Sequence, residues 1–219
     1  GTCFHGGKSC GIFVCKRGAP RFESCEVWGN ELAGVEVSDE AHPTFSACTL
    51  RDGKKMGLWI REKAAVRVES CTVRNNAKTG IAAVDDATVS IVQSTITAGE
   101  SACVVAQHRA RISVESCHLE GKWGVAAVEG AWITARETNL AGEHGAGARD
   151  GVVMLDRCTL APSTGLHATH RGAIHAFSCT LLGPDEGRIV EQTGGIVTLH
   201  DRKPAPQLPD VPPKAPLKP

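Results

Sequence analysis

Tyrosine is absent, and phenylalanine and tryptophan bring the aromatic content to only 4% of 219 residues. So few rings argue against a long cleft that stacks sugar units on aromatic faces. Charge of one sign is also missing: Lys plus Arg and Asp plus Glu are 24 each. No net field draws the chain to nucleic acid or to an anionic membrane surface, and neither is expected as a partner. No apolar run approaches the roughly 18 residues of a membrane span. The first fifteen residues lack the charged start, apolar block and cleavage site of a secretory leader. A 3.6-residue apolar pattern is missing as well, so helices are not expected.

What the chain does have is repetition. A phrase of alternating apolar residues that ends in Cys, or in Ser or Thr in its place, returns at Cys25, Cys48, Cys71, Ser94, Cys117, Thr138, Cys158 and Cys179. The intervals are 23, 23, 23, 23, 21, 20 and 21. A period this regular means units that bury their apolar face only against their neighbours. Six of the ten cysteines occupy this one slot. Residues stacked in register keep their Cβ atoms near the strand spacing of about 4.8 Å, beyond usual disulfide range, so the column reads as buried thiols. Thiols in that number favour a reducing compartment, and the cytoplasm is the expected location.

Residues 57–76 show one unit. Leu58 and Ile60, Val66 and Val68, and Cys71 and Val73 alternate with Trp59, Arg67, Glu69 and Thr72. The first set should point inward and the second outward. Three short strands joined by turns make one triangular coil, and stacked coils pair in parallel. The expected fold is therefore all-β: a single-stranded right-handed parallel β-helix of about nine three-strand coils over residues 1–201. A Pro-rich extended tail or linker follows at 202–219, where seven of the sixteen residues from Pro204 onward are proline. Its three-residue proline spacing suits polyproline II and an SH3-like partner, or a plain linker.

The segments from Leu32 to Val37, Cys48 to Lys54 and Cys71 to Asn76 resemble the right-handed parallel β-helix repeat proteins of the pectin-lyase-like superfamily. They look like the repeat region of F-box ubiquitin-ligase adaptors and of bacterial multidomain proteins. The resemblance implies the fold. It carries over no catalytic residues, because neither the clustered calcium-binding Asp of a pectate lyase nor the Asn-x-Asp and Gly-His-Gly signatures of a polygalacturonase stand in this chain, and the same fold hosts enzymes, adhesins and interaction modules.

Two rows across the repeats carry the functional expectations. The turn after the first strand stacks Asp39, Glu62, Asp85, His108 and Glu129, beside Arg17, Glu40, Lys63, Asp86 and Arg109. If the protein is a lyase, epimerase or hydrolase acting on an acidic polysaccharide, Asp39, Glu62, Asp85, His108 and Arg109 are its candidate catalytic groups. The bland reading is a solvated edge of alternating charge. Asp85 and Asp86 are adjacent, whereas glycoside hydrolysis needs two carboxyls converging at about 5 to 9.5 Å across the scissile bond. The second row is the outward position of the first strand: Phe13, Glu36, Trp59, Ala82, Val105, Ala126 and His167. Its apolar character on an outer face marks a surface that something covers: either a protein partner, with Phe13, Glu36 and Trp59 as candidate contacts, or a loop or the tail of the chain itself.

Other patterns are weaker. The Thr row beside the Cys column suits any outward strand position. His167, His170 and His175 lack tetrahedral spacing, and Cys3, His5, Cys10 and Cys15 fit no standard zinc knuckle, so neither a metal site nor a cofactor is expected. The longest irregular stretch is expected at residues 141–150, Gly-rich and too small for the long loops from which enzymes of this architecture build a groove. The favoured reading is a non-enzymatic recognition or scaffold module within a larger protein or assembly.

Overall fold

The computed structural model describes residues 1–161, 164–182 and 189–201. The Pro-rich segment, with its expected SH3-like partner, lies outside the described residues. The rest forms the expected right-handed parallel β-helix, built from 25 strands with no helix among the described residues.

The strands stack into three faces. The first holds Ile12–Val14, Val35–Val37, Leu58–Ile60, Ile81–Ala83 and Ala102–Ala106 and runs on to Ile189–Gln192. The second begins at Arg21–Glu23 and ends at Ile196–His200, nine strands deep. The third carries Cys3–His5, Glu26–Trp28, Thr49–Arg51 and Thr72–Arg74 and continues to Thr180–Leu181. Every pairing is parallel, and equivalent letters of the repeat sit side by side: Val35 with Leu58, Leu58 with Ile81, Val66 with Val89, Val73 with Ile96. Nine layers make eight rises of about 4.8 Å, a rod on the order of 40 Å long.

Period-two alternation dictates the interior. Val35, Val37, Leu58, Ile60, Ile81, Ile91, Ile96 and Val73 are fully buried, while Trp59, Arg67 and Thr72 lie on the outside. Each buried aliphatic side chain contributes roughly 1.5 to 3 kcal/mol relative to exposure.

All ten cysteines are free thiols, and the six of the repeat column are buried. Their corner position explains the residue type. A corner residue has turned away from the strand ladder, so its backbone N–H needs another acceptor. The N–H of Cys48 donates to the Cys71 sulfur at 3.3 Å, that of Cys71 to the Ser94 hydroxyl at 3.0 Å, that of Ser94 to the Cys117 sulfur at 3.4 Å, and that of Cys117 to the Thr138 hydroxyl at 3.4 Å. Each of these acceptors in turn donates its own proton to the carbonyl two residues earlier, Cys71 to Glu69 at 3.3 Å and Ser94 to Val92 at 2.8 Å. Cys, Ser and Thr share that double capacity, which aliphatic residues lack. Burial pushes the Cys103 thiol, elsewhere in the core, up to about 12 and raises Cys117 too, so both remain protonated.

The edge between the first and second faces is a column of two-residue turns in which both central residues are left-handed: Asp39 and Glu40, Glu62 and Lys63, Asp85 and Asp86, His108 and Arg109. The residue that closes each turn, such as Ala41, Ala64, Ala87 or Ala110, donates its N–H to the carbonyl three residues back, which makes the turns type I′. Those alanines are wholly buried, where a larger side chain would collide with the core.

Residues 141–150 differ from expectation. Asn139–Arg149 is one continuous strand, as is His118–Val128 one coil earlier, so here the third face runs into the first without a loop. The shortened intervals of 21 and 20 residues remove the loop. Glycine then makes the bend: Gly142 has φ 115°, and a Cβ on it would lie 1.9 Å from the Gly121 carbonyl oxygen.

Candidate recognition face and charged turn edge

The turn edge brings Asp39, Glu62, Asp85, His108 and Arg109 into one file, because each occupies a left-handed position of successive type I′ turns. The charges answer one another along the rod. Arg17 pairs with Glu40 at 3.0 Å, and Arg109 holds both oxygens of Asp86 at 2.9 and 2.8 Å. His108 stands between Asp85, 3.5 Å from Nδ1, and Glu129, 2.8 Å from Nε2. Arg61 binds the Glu62 carboxylate, and Arg171 binds Asp150 at 3.1 Å. The Arg109 guanidinium holds the Asp86 carboxyl below the usual range. Lys16, Arg17, Asp39, Glu40, Glu62, Lys63, Asp85 and Asp86 border an open trough of about 670 Å³. Chemically, this is an exposed ladder in which Arg17, Arg61, Arg109 and Arg171 each hold a carboxylate, while Lys16, Asp39 and Lys63 form no ion pair among the described residues.

Phe13, Glu36 and Trp59 share one column of the first face, in register with Ala82, Val105, Ala126, Gly147 and His167. Phe13 is 53% exposed. Arg61 ties the other two together: its guanidinium bonds the Glu36 carboxylate at 2.9 and 3.1 Å and lies 5.3 Å from the centre of the Trp59 ring. A groove of about 280 Å³ opens beside them, between Leu32, Glu36, Lys55, Met56, Trp59 and Lys78.

Further along the same face stands a cluster that the repeat reading does not single out. Trp123 and His144 pair across neighbouring strands, with ring centres 4.0 Å apart, and His167 approaches to 4.2 Å from His144 and 5.4 Å from Trp123. Burial, with His144 beside it, lowers the His167 pKa and keeps that ring neutral. The one available signal is the 21-residue step that sets Trp123 level with His144, whereas a strict 23-residue frame misaligns them. Next to the cluster lies an apolar slot of about 290 Å³, lined by Trp123, Ala126, Val128, Gly147, Arg149 and His167 among others.

The remaining metal-type residues are dispersed. His5 stacks on Trp28 at 4.4 Å, the Cys3 thiol faces Glu26 at 3.9 Å, and His175 lies on the second face, 6.3 Å from His200. No three His, Cys, Asp or Glu side chains among the described residues form a group able to hold a metal ion.

A family model described as the right handed beta helix region matches residues 2–140. No curated protein and no solved structure matches the chain.

Proposed function

Since the chain belongs to the right-handed β-helix family, whose fold serves both enzymes and binding proteins, we propose that it is a non-enzymatic recognition module that holds a protein partner along the outer side of its first face. One observation carries this reading: the central column of that face, Phe13, Glu36, Trp59, Ala82, Val105 and Ala126, is apolar on the outside of the rod at every position but Glu36, whose carboxylate is bound by Arg61. Solvent selects polar residues at such positions unless another molecule covers them. The turn edge fits the same reading, because most of its carboxylates are occupied by Arg or His of the same edge. The protein partner, or a neighbouring domain of a larger assembly, meets the thiol-rich rod in the cytoplasm, where reduced cysteines persist.

The test compares the intact protein with Ala82→Glu and Val105→Lys on the face and Asp85→Ala on the edge. Partners captured by the intact protein are identified, purified and titrated against all four. The face variants are expected to weaken binding by at least about tenfold, as a charge buried in an interface does, and the edge variant to leave it unchanged. Release of unsaturated or shortened products from acidic polysaccharides, abolished by Asp39→Ala and Asp85→Ala, would replace this reading with the enzymatic one.

A further inference from the structure

We propose that the slot beside Trp123 is an anchor pocket: it takes one large apolar or aromatic side chain from an extended segment of the partner, and Arg149 pairs with an acidic residue next to that anchor. This rests on the reading of the first face as the recognition surface and names what that surface selects.

Three neighbouring columns of the face build the pocket. The middle column shrinks from Val105 to Ala126 and Gly147, which lowers the floor, and His167 closes its end. On one side Trp123 leans over Gly147: a Cβ on that glycine would lie 2.7 Å from the ring, so only glycine lets the indole lie this low. On the other side stand Val128, Arg149 and Thr169, in register with one another. The lining is mostly apolar, and the volume of about 290 Å³ falls below the roughly 300 to 1,000 Å³ of sites that enclose a whole small molecule. One large side chain suits it better, and aromatic or aliphatic anchors in pockets of this kind dominate protein interfaces.

Charge supplies the second half of the specificity. Arg109 and Arg171, on the adjacent turn edge, are each held by a carboxylate, Asp86 and Asp150 respectively. Arg149 is exposed at the rim of the pocket and forms no ion pair among the described residues. A guanidinium with five free donors beside an apolar slot complements a carboxylate, and a bidentate pair fixes its orientation.

The probes are short acetylated peptides that carry a Trp-Glu, Trp-Lys or Ala-Glu pair between Gly-Ser flanks, titrated into the isotope-labelled protein and followed by amide shifts. Trp-Glu is expected to shift the amides of Ala126, Gly147 and Thr169 and to bind at least about tenfold more tightly than either control, in keeping with a charge-assisted hydrogen bond and a filled pocket. Arg149→Glu should reverse the preference toward Trp-Lys, and Gly147→Ala should weaken all three by displacing Trp123. Arg149 is solvent-facing, so its variant retains the fold, and circular dichroism checks this. Failure of every peptide to move these amides, or an unchanged preference in Arg149→Glu, overturns the pocket. If Ala82→Glu still abolishes partner binding in that event, the recognition reading survives without it; if neither effect is found, both fall.

Discussion

Cys71 does what no aliphatic residue can do at its corner: it accepts the Cys48 N–H and donates to the Glu69 carbonyl while filling core volume. Cys71→Ser keeps both bonds, as Ser94 shows one coil later, and is expected to shift the urea midpoint little. Cys71→Val fills the space but leaves a buried N–H without an acceptor, which costs about 1 to 3 kcal/mol. A pair of denaturation curves in which the valine variant equals or exceeds the serine variant would sink this account. The column's position is legible in the sequence, because period-two alternation puts it inside. Its hydrogen bonding is not, because that depends on which way a corner N–H points after the chain turns. Trp123 and His144 are hidden for another reason: a register slip of two residues separates letters that the fold sets side by side.

At the scale of one element, the type I′ turn is the costly piece of each coil. Two consecutive non-glycine residues in the left-handed region, such as Glu62 at φ 55° and Lys63 at φ 58°, give up roughly 1 to 2 kcal/mol each. The turn persists because forward hydrogen bonds from one coil to the next offset that strain, with Glu40 N–H to the Glu62 carbonyl at 3.1 Å and Lys63 N–H to the Asp85 carbonyl at 3.0 Å. Glu62→Gly relieves the steric cost and should match or slightly exceed the parent in melting temperature, whereas a β-branched Glu62→Val should lose on the order of 1 to 2 kcal/mol. Thermal unfolding of the two variants decides it, and equal values would show that backbone strain is not what the turn residues relieve. Turn positions are readable from the polar dipeptides at regular spacing, but their left-handed geometry is not, since Glu and Lys have no preference for it. Residues 141–150 mislead in the opposite sense, because a Gly-rich stretch reads as a loop unless the strand above fixes its path.

Across the whole molecule each coil pairs its strands only with the coils before and after it, the Trp123–His167 ring contact reaching one coil further, so stability is close to a sum of local and neighbour terms. Val68→Asp places a charge in a core with no water and no partner, a cost of several kcal/mol. Hydrogen exchange should then show the strands around Ala65–Glu69 opening first, with residues 125–127 still protected. Uniform loss of protection along the rod would mean that the coils fold as one indivisible unit. The forward donation at the turns has an outcome for assembly. Arg17, Glu40, Lys63, Asp86 and Arg109 all give their amide protons toward the C-terminal neighbour, and the sulfur and hydroxyl corners do the same. The stack therefore has a chemical arrow, like a chain of magnets laid north to south. A lid for the layer after Ile196–His200 has to offer lone pairs at these corners, a lid for the opposite face has to offer protons there, and no single plug fits both.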